Sequence, residues 1–441
     1  MDCEVWSTSY PNNKELYQSK QIKFQAFPIV NNFRERYNII RQINNLAWAF
    51  HLNAPSILSM KKFQANGFNS RQRLRRFFET VFSKLLASFN LVGFIENRLF
   101  NMLKDQSRSL DSYNRLLADK PDMLVITNPF WLHESAVAIE AIKLGIPVFS
   151  FIPSWDNITT KSRFVFKSNF YAVWSDEQKG QLLKYYPYIK EFQIFVVGAP
   201  QYDVFINTPF ETSKADFFKK NRLNPNLPVV LYALGSPNFI KSEFETCRQF
   251  LEDSLQSGSI NDFQVLIRPH PNKDTNNLIN DLEAIHGNIH VQVTTISGIE
   301  VEQRSQTEAD IADWIETFKF SDVLINLSST CIFDAAYFKK PIININFDHT
   351  DKTLYHNFIK EINSTWAHLR TAFDSGALYS VNGIPELCDS IKMALENPLA
   401  KFQNQQVMLQ KLCNNSIGRS GEAFMKAIES SLGLVYSENE S

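Results

Sequence analysis

The order of apolar runs and helical stretches predicts an α/β protein built on parallel sheets. Residues 229–234, 263–267, 322–327 and 341–347 form short, mostly apolar runs that suit strands covered by helices on both faces, and 289–294 reads as a further strand. Between them, residues 241–256, 275–285, 308–319 and 331–338 repeat at helical spacing, and this alternation is the grammar of a doubly wound sheet. The same grammar appears upstream, in a strand over 122–127, a helix over 135–144, Gly145 and a strand over 146–152. Two Rossmann-like domains are therefore expected.

In chain order, residues 4–8 and 21–30 read as short strands, and residues 32–103 as helical. Within that region Lys61, Lys62, Arg71, Arg73, Arg75 and Arg76 are six basic residues with no acid between them. Leu74, Phe77, Phe78, Val81, Phe82, Leu85 and Leu86 follow at the spacing of one helix face. Such a segment either packs that face on the core, the plainer alternative, or lies on an anionic membrane. Peripheral membrane contact through residues 61–86 is thus one expectation.

The strand at 146–152 ends in Pro153-Ser154-Trp155-Asp156, a polar loop, and His133-Glu134 follow the strand before it. A carboxylate at such a strand end either removes a proton from a hydroxyl or caps a turn. Asp156 is the first candidate base, with His133 and Glu134 in reserve. Further strands are expected over 169–174 and 193–197, and Ser175 with Gln178 has capping-box spacing. A polar, proline-bearing linker over 207–228 separates an N-terminal domain (1–206) from a C-terminal one (229–403). A helical tail follows (404–441).

Three strand ends of the C-terminal domain carry polar turns. Residues 229–234 lead into Gly235-Ser236-Pro237, and 263–267 into Arg268-Pro269-His270-Pro271. Residues 322–327 lead into Ser328-Ser329-Thr330, which opens the next helix. Ser and Thr there suit an ordinary N-cap, and equally an anion site built from helix N–H groups and hydroxyls. Three such turns on one sheet edge favour a ligand. Asp348, His349, Asp351 and His356 crowd after the last of these strands, but their spacing matches no standard metal site, and a polar loop is expected.

The His-Pro turn with a downstream Ser-Ser-Thr turn resembles the nucleotide half of GT-B glycosyltransferases. It is most similar to the branch with capsule sialyltransferases and CDP-glycerol glycerophosphotransferases. The resemblance spans roughly residues 121–347. It implies two domains facing across a cleft, the donor nucleotide on the second and the acceptor on the first, with the tail crossing back. Donor phosphates would be held by His270, Ser328, Ser329 and Thr330, with Arg268, Gly235 and Ser236 beside them and Asp334 at the ribose. Closure would bring Asp156 to the acceptor hydroxyl. The strand and glycine-rich turn that begin such proteins are not matched, so the strand at Glu4 looks like the family's second, and a truncated start is expected.

Composition narrows the classes further. Charged residues make up 21% and the net charge is −1, with no recognised nucleic-acid motif, so no nucleic-acid partner is expected. The charge is uneven: 25 basic against 16 acidic residues over 1–200 give +9, and 20 against 30 over 201–441 give −10. Five scattered cysteines without a CxxC pair suit a reducing cytoplasm. There is no GxGxxG, no P-loop and no Asp-x-Asp, so metal-independent transfer is expected, with no cofactor beyond the nucleotide-activated sugar as substrate. The expected activity is glycosyl transfer to a surface-polysaccharide or lipid-linked glycan acceptor, in the cytoplasm or on the inner membrane face. A glycerophosphotransferase, a sugar epimerase and a non-catalytic scaffold on the same fold are the alternatives.

Overall fold

The protein is described by a computed structural model covering residues 2–10, 14, 22–28, 35–106, 110–207, 212–236, 239–270, 281–292, 307–414 and 418–439. It separates into two compact units. One comprises Met1–Ala26, Asn207–Thr365 and Leu369–Leu409; the other comprises Phe27–Ile206, Trp366–His368 and Gln410–Ser441. Strands β1 (Cys3–Ser7) and β2 (Ile22–Ala26) pair in parallel with each other and, among the described residues, with no other strand. They fall in the first of these units, whereas the sequence placed residues 1–26 in the N-terminal domain. The reading of β1 as the second strand of that domain's sheet is corrected by the same pairing.

The unit containing Phe27–Ile206 opens with helices α1 (Glu35–His51), α2 (Pro55–Ala65), α3 (Ser70–Ser88), α4 (Val92–Gln106) and α5 (Leu110–Asp119). Its sheet follows: β3 (Leu124–Ile126), α6 (Leu132–Lys143), β4 (Val148–Phe151), α7 (Asn157–Thr160), β5 (Phe170–Val173), α8 (Asp176–Tyr185) and β6 (Ile194–Val196). The four strands are parallel, in the order β3-β4-β5-β6. Ser175 accepts the Gln178 N–H at the start of α8, but the Gln178 amide oxygen takes the Trp174 N–H, so the expected capping box is only half formed.

Aromatic packing holds this unit together. Phe164 stacks on Tyr186 with ring centroids 4.2 Å apart, and Tyr171 lies 5.5 Å from Phe164 on its other side. Arg163 sits 4.4 Å from the centroid of the Tyr186 ring. Its guanidinium forks onto Glu96, with Nε–Oε1 at 2.9 Å and Nη2–Oε2 at 2.7 Å. The final helix of the chain, α18 (Ser420–Asn439), lays Phe424 on Phe149 and Phe151 of β4.

Helix α9 (Val204–Asn207) ends the Phe27–Ile206 stretch, and the other unit runs α10 (Lys214–Lys220), β7 (Val229–Ala233), α11 (Glu243–Gln256), β8 (Gln264–Arg268) and β9 (Ile289–Val291). It continues with α12 (Glu308–Phe320), β10 (Val323–Asn326), α13 (Cys331–Tyr337), β11 (Ile342–Ile345), α14 (Leu354–Thr365) and α15 (Ala367–Asp374). β12 (Tyr379–Val381), α16 (Ile384–Glu396) and α17 (Phe402–Cys413) complete it. The stretch expected as a linker is therefore partly folded: Ser213 caps α10, whose Phe217 packs on Phe320 of α12. The helix expected over 275–285 and the loop at 295–300 lie largely or wholly outside the described residues.

The six-stranded sheet has the order β12-β11-β10-β7-β8-β9, every pair parallel. Counted along this unit's main run of strands from β7, that is the doubly wound order 3-2-1-4-5-6, read from β9. Strands β7, β10 and β11 are buried along their whole length, as their unbroken apolar runs require.

Glu96 and Arg163 are both nearly inaccessible, with side chains 12% and 7% exposed. Removing one partner leaves an uncompensated buried charge. Glu96→Ala should therefore lower unfolding stability by about 3–5 kcal/mol, read as a fall in the urea midpoint. A loss below about 1 kcal/mol would mean that the pair behaves as a solvated surface bridge.

Candidate functional site

In a doubly wound sheet the connections diverge to opposite faces where the strand order reverses, and a crevice opens at the carboxyl ends of the strands there. Here the reversal lies between β7 and β10. Strand register puts Asn326 beside Ala233, Ala233 beside Arg268, and Asn326 beside Asn344. The turns at 234–236, 269–270 and 328–330 therefore leave the sheet at one level. The His270 turn is two strand spacings from the Ser328 turn, about 10 Å.

The Ser328 turn is pinned from inside the sheet. Ser328 is left-handed, with φ of 51°, and its N–H donates to the Asn344 side chain at 2.8 Å. Its hydroxyl donates to Asn363. The Ser329 N–H donates to Asn326 Oδ1 at 3.2 Å, and the Ser329 hydroxyl accepts the Cys331 N–H. Asn326 and Asn344 are fully buried, and Asn326 Nδ2 has no hydrogen-bond partner among the described residues. Thr330 is exposed at the start of α13. The three asparagines were missed in the sequence. The available signal was an amide inside an apolar strand, Asn326 and again Asn344.

Other predicted residues are committed elsewhere. The Gly235 N–H donates to buried Glu243 Oε2 at 2.9 Å, and a Cβ at Gly235 would meet that oxygen at 2.9 Å. Glycine is thus explained by close packing, and its N–H is not open to a phosphate. Burial pushes the Glu243 carboxyl up to about 8. Ser236 is half-buried in the same turn. Arg268 binds Gln292 at 2.6 Å, Asp313 at 2.9 Å and Thr317 at 3.1 Å, and lies over Trp314. It serves the sheet rather than standing free for an anion. Asp334 is 4% exposed on α13 and accepts the Trp314 Nε1–H at 2.8 Å. Burial raises its carboxyl to about 7. That placement corrects its expected role as a ribose ligand, because its side chain points into the unit. His270 is half-buried beyond β8.

Asp348 is a structural anchor. Ser242 donates to it at 2.9 Å, Thr246 at 3.0 Å and the His349 N–H at 2.9 Å, with the Thr353 hydroxyl a fourth donor. Burial alone would raise its carboxyl; these bonds, Thr353 first, hold it below the usual range. No group of three His, Cys, Asp or Glu placed to hold a metal ion occurs among the described residues.

In the other unit, β3 and β4 are neighbours, so the 127–134 and 153–160 loops share one sheet edge. Glu134 caps the turn after β3, accepting the N–H groups of Thr127 and Asn128 at 2.9 and 3.0 Å. Burial raises its carboxyl, against those hydrogen bonds. His133 Nδ1 is buried without a hydrogen-bond partner among the described residues. Asp156 is half-buried and accepts from Ser154 at 2.6 Å, Asn157 at 3.1 Å and Thr160 at 2.7 Å. All three donors are side chains, and the carboxylate makes no cap bond to the α7 backbone, so the expected alternative of a cap is not formed.

Beside it lies a residue that the sequence did not reveal. His368 is 5% exposed, its Nδ1 is 3.2 Å from the Thr159 hydroxyl, and its ring meets Trp155 edge-on at 4.9 Å. Burial lowers it to about 4, against the pull of Asp156. It is 212 positions from Asp156 in sequence, and no local pattern links the two.

Comparison with known proteins agrees with the resemblance drawn from the motifs. Residues 156–368 match the family model of CDP-Glycerol:Poly(glycerophosphate) glycerophosphotransferase. The whole chain superposes on the Staphylococcus aureus MnaA–UDP co-structure with a TM-score of 0.53 at 11% identity, covering 98% of this chain and 96% of that one. A putative UDP-N-acetylglucosamine 2-epimerase from Listeria monocytogenes covers 76% of this chain and 79% of its own at 12% identity, with a TM-score of 0.48. No curated protein matches. The fold is α/β and GT-B-like, and residues 156–368 are similar to the glycerophosphotransferase family.

A buried neutral histidine makes stability depend on pH. With a folded value of about 4 below the ordinary 6.5, the stability from His368 is complete above pH 6.5 and falls as pH drops toward 4. The loss is about 3 kcal/mol. His368→Gln should be less stable than the parent at pH 7.5, and the gap should close or reverse by pH 4.5, read from urea midpoints. A gap that is constant with pH would mean that His368 is not held neutral.

Proposed function

We propose that the chain moves a group from a nucleotide-diphosphate donor to a hydroxyl of a surface-polymer or lipid-linked acceptor, in the cytoplasm or at the inner membrane face. The family match over 156–368 carries this reading, because it takes in Asp156, His270 and the Ser328–Ser329–Thr330 turn. The donor's phosphates lie at the switch point, on the Ser329 hydroxyl, the Thr330 N–H and hydroxyl and on His270, with Ser328 holding the turn in place. Fixed donors there stabilise the leaving phosphate without a metal ion, and no other cofactor is required. The acceptor proton goes to Asp156, with His133 as the second candidate.

Two bonds could break. In glycosyl transfer the acceptor oxygen attacks the anomeric carbon, and a nucleoside diphosphate leaves. In glycerophosphate transfer it attacks the distal phosphorus, and a nucleoside monophosphate leaves. The family match favours the second, while the UDP in the fold neighbour's co-structure is compatible with the first.

Calorimetry with CMP, CDP, UDP, GDP and ADP, with and without Mg²⁺, tests the site. One nucleotide should bind regardless of Mg²⁺, and His270→Ala and Ser329→Ala should each weaken it by about 1–3 kcal/mol. Whether a mono- or a diphosphate is released on turnover separates the two reactions. A folded parent protein that binds none of the five contradicts the transferase reading.

A further inference from the structure

The outer face of α3 is reversed for a water-soluble helix. Its one buried residue is Ser83, while Phe77, Phe78, Val81, Phe82 and Leu85 form a stripe facing solvent. Phe77 is 61% exposed and Phe82 57%; Phe89, at the corner into α4, is 71% exposed. The packed face that the plainer sequence reading expected is therefore the polar one. Between α1, α3 and α4 an open groove of about 260 Å³ continues the apolar surface, lined only by apolar side chains such as Ile43, Leu86 and Ile95. Helices α3 and α4 meet at 111°, and no single helix among the described residues is long and apolar enough to cross a membrane.

Charge identifies the occupant. Residues 61–88 hold seven Lys and Arg and one acid, Glu79, a net +6. Glu79 is itself ion-paired with Arg75 and Arg76. Lys61, Lys62, Arg71 and Arg73 are exposed around the aromatic stripe. A second copy docked on a two-fold axis would set +6 against +6, which opposes association. An anionic surface that is apolar beneath satisfies both halves of the pattern.

We propose that α3 and the α3–α4 corner dock in the plane of an anionic phospholipid bilayer. The aromatic stripe lies among the acyl chains, the groove takes the end of one chain, and the basic residues meet headgroup phosphates. This placement does not rest on the transfer chemistry.

The test is co-sedimentation of the full chain with phosphatidylcholine vesicles, with and without phosphatidylglycerol. The parent should bind the anionic vesicles, more weakly as salt rises, and bind the neutral ones least. Arg71→Gln/Arg73→Gln should weaken binding about 30-fold, and Phe78→Ser/Phe82→Ser at least tenfold. Both variants should keep the parent's circular dichroism and nucleotide binding. No binding to anionic vesicles at low salt overturns the proposal. So does unchanged vesicle binding by the phenylalanine variant, or a parent dimer that this variant splits without any vesicle binding. Lost nucleotide binding with intact vesicle binding would count against the transfer reading alone.

Discussion

The reversal of strand order between β7 and β10 is the constraint on which the candidate site depends. Right-handed crossovers send the β7–β8–β9 connections to one face of the sheet and the β10–β11–β12 connections to the other. Such a reversal places a crevice at the carboxyl ends of β7 and β10. Register fixes the level at which the backbone leaves the two strands, because Asn326 and Ala233 are paired neighbours. A one-residue slip in either strand would turn its side chains to the other face. It would also carry the turn out of line.

The turn at Ser328 shows what holding such an edge costs. A left-handed serine is strained, and a buried amide nitrogen with no partner among the described residues, that of Asn326, is costly. Both are tolerated because Asn344 and Asn363 bond the serine's N–H and hydroxyl, while Asn326 holds Ser329. Asn363 also reaches Asn346 and the Ile345 carbonyl, tying α14 to the end of β11. The polar groups inside the sheet thus fix the direction of the turn above it.

What the sequence disclosed follows from these same rules. Strands buried on two faces read as unbroken apolar runs, so β7, β8, β10 and β11 were legible, and with them the turns that follow. Orientation within an element was not. Asp334 sits one helical turn past the Ser-Ser-Thr turn, and only packing decides that it faces Trp314 instead of the edge. Gly235 reads as room for a phosphate, whereas the contact that needs its missing Cβ is Glu243. His368 meets Asp156 through tertiary folding alone. The periodicity of α3 showed an apolar face but not which way it turns. β1 and β2 were legible as strands, but their pairing with each other was not, since five-residue strands carry no register signal of their own.

The buried carboxyls near the sheet edge follow one pattern. Glu243 and Asp334 are fully enclosed, and burial raises them to about 8 and about 7, so near neutrality each is largely or partly in its uncharged form. Asp348 is the opposite case, kept ionised by four donors that surround its oxygens. Asp313 is matched by Arg268 and Lys220. Each carboxyl is therefore either protonated, encased in donors or paired with a cation. An edge that is to receive a diphosphate must not already be negative, because in a partly buried crevice a facing charge is poorly screened. The arrangement leaves the Ser329 hydroxyl and the Thr330 N–H and hydroxyl as the donors of the turn that no side chain of the sheet already takes up.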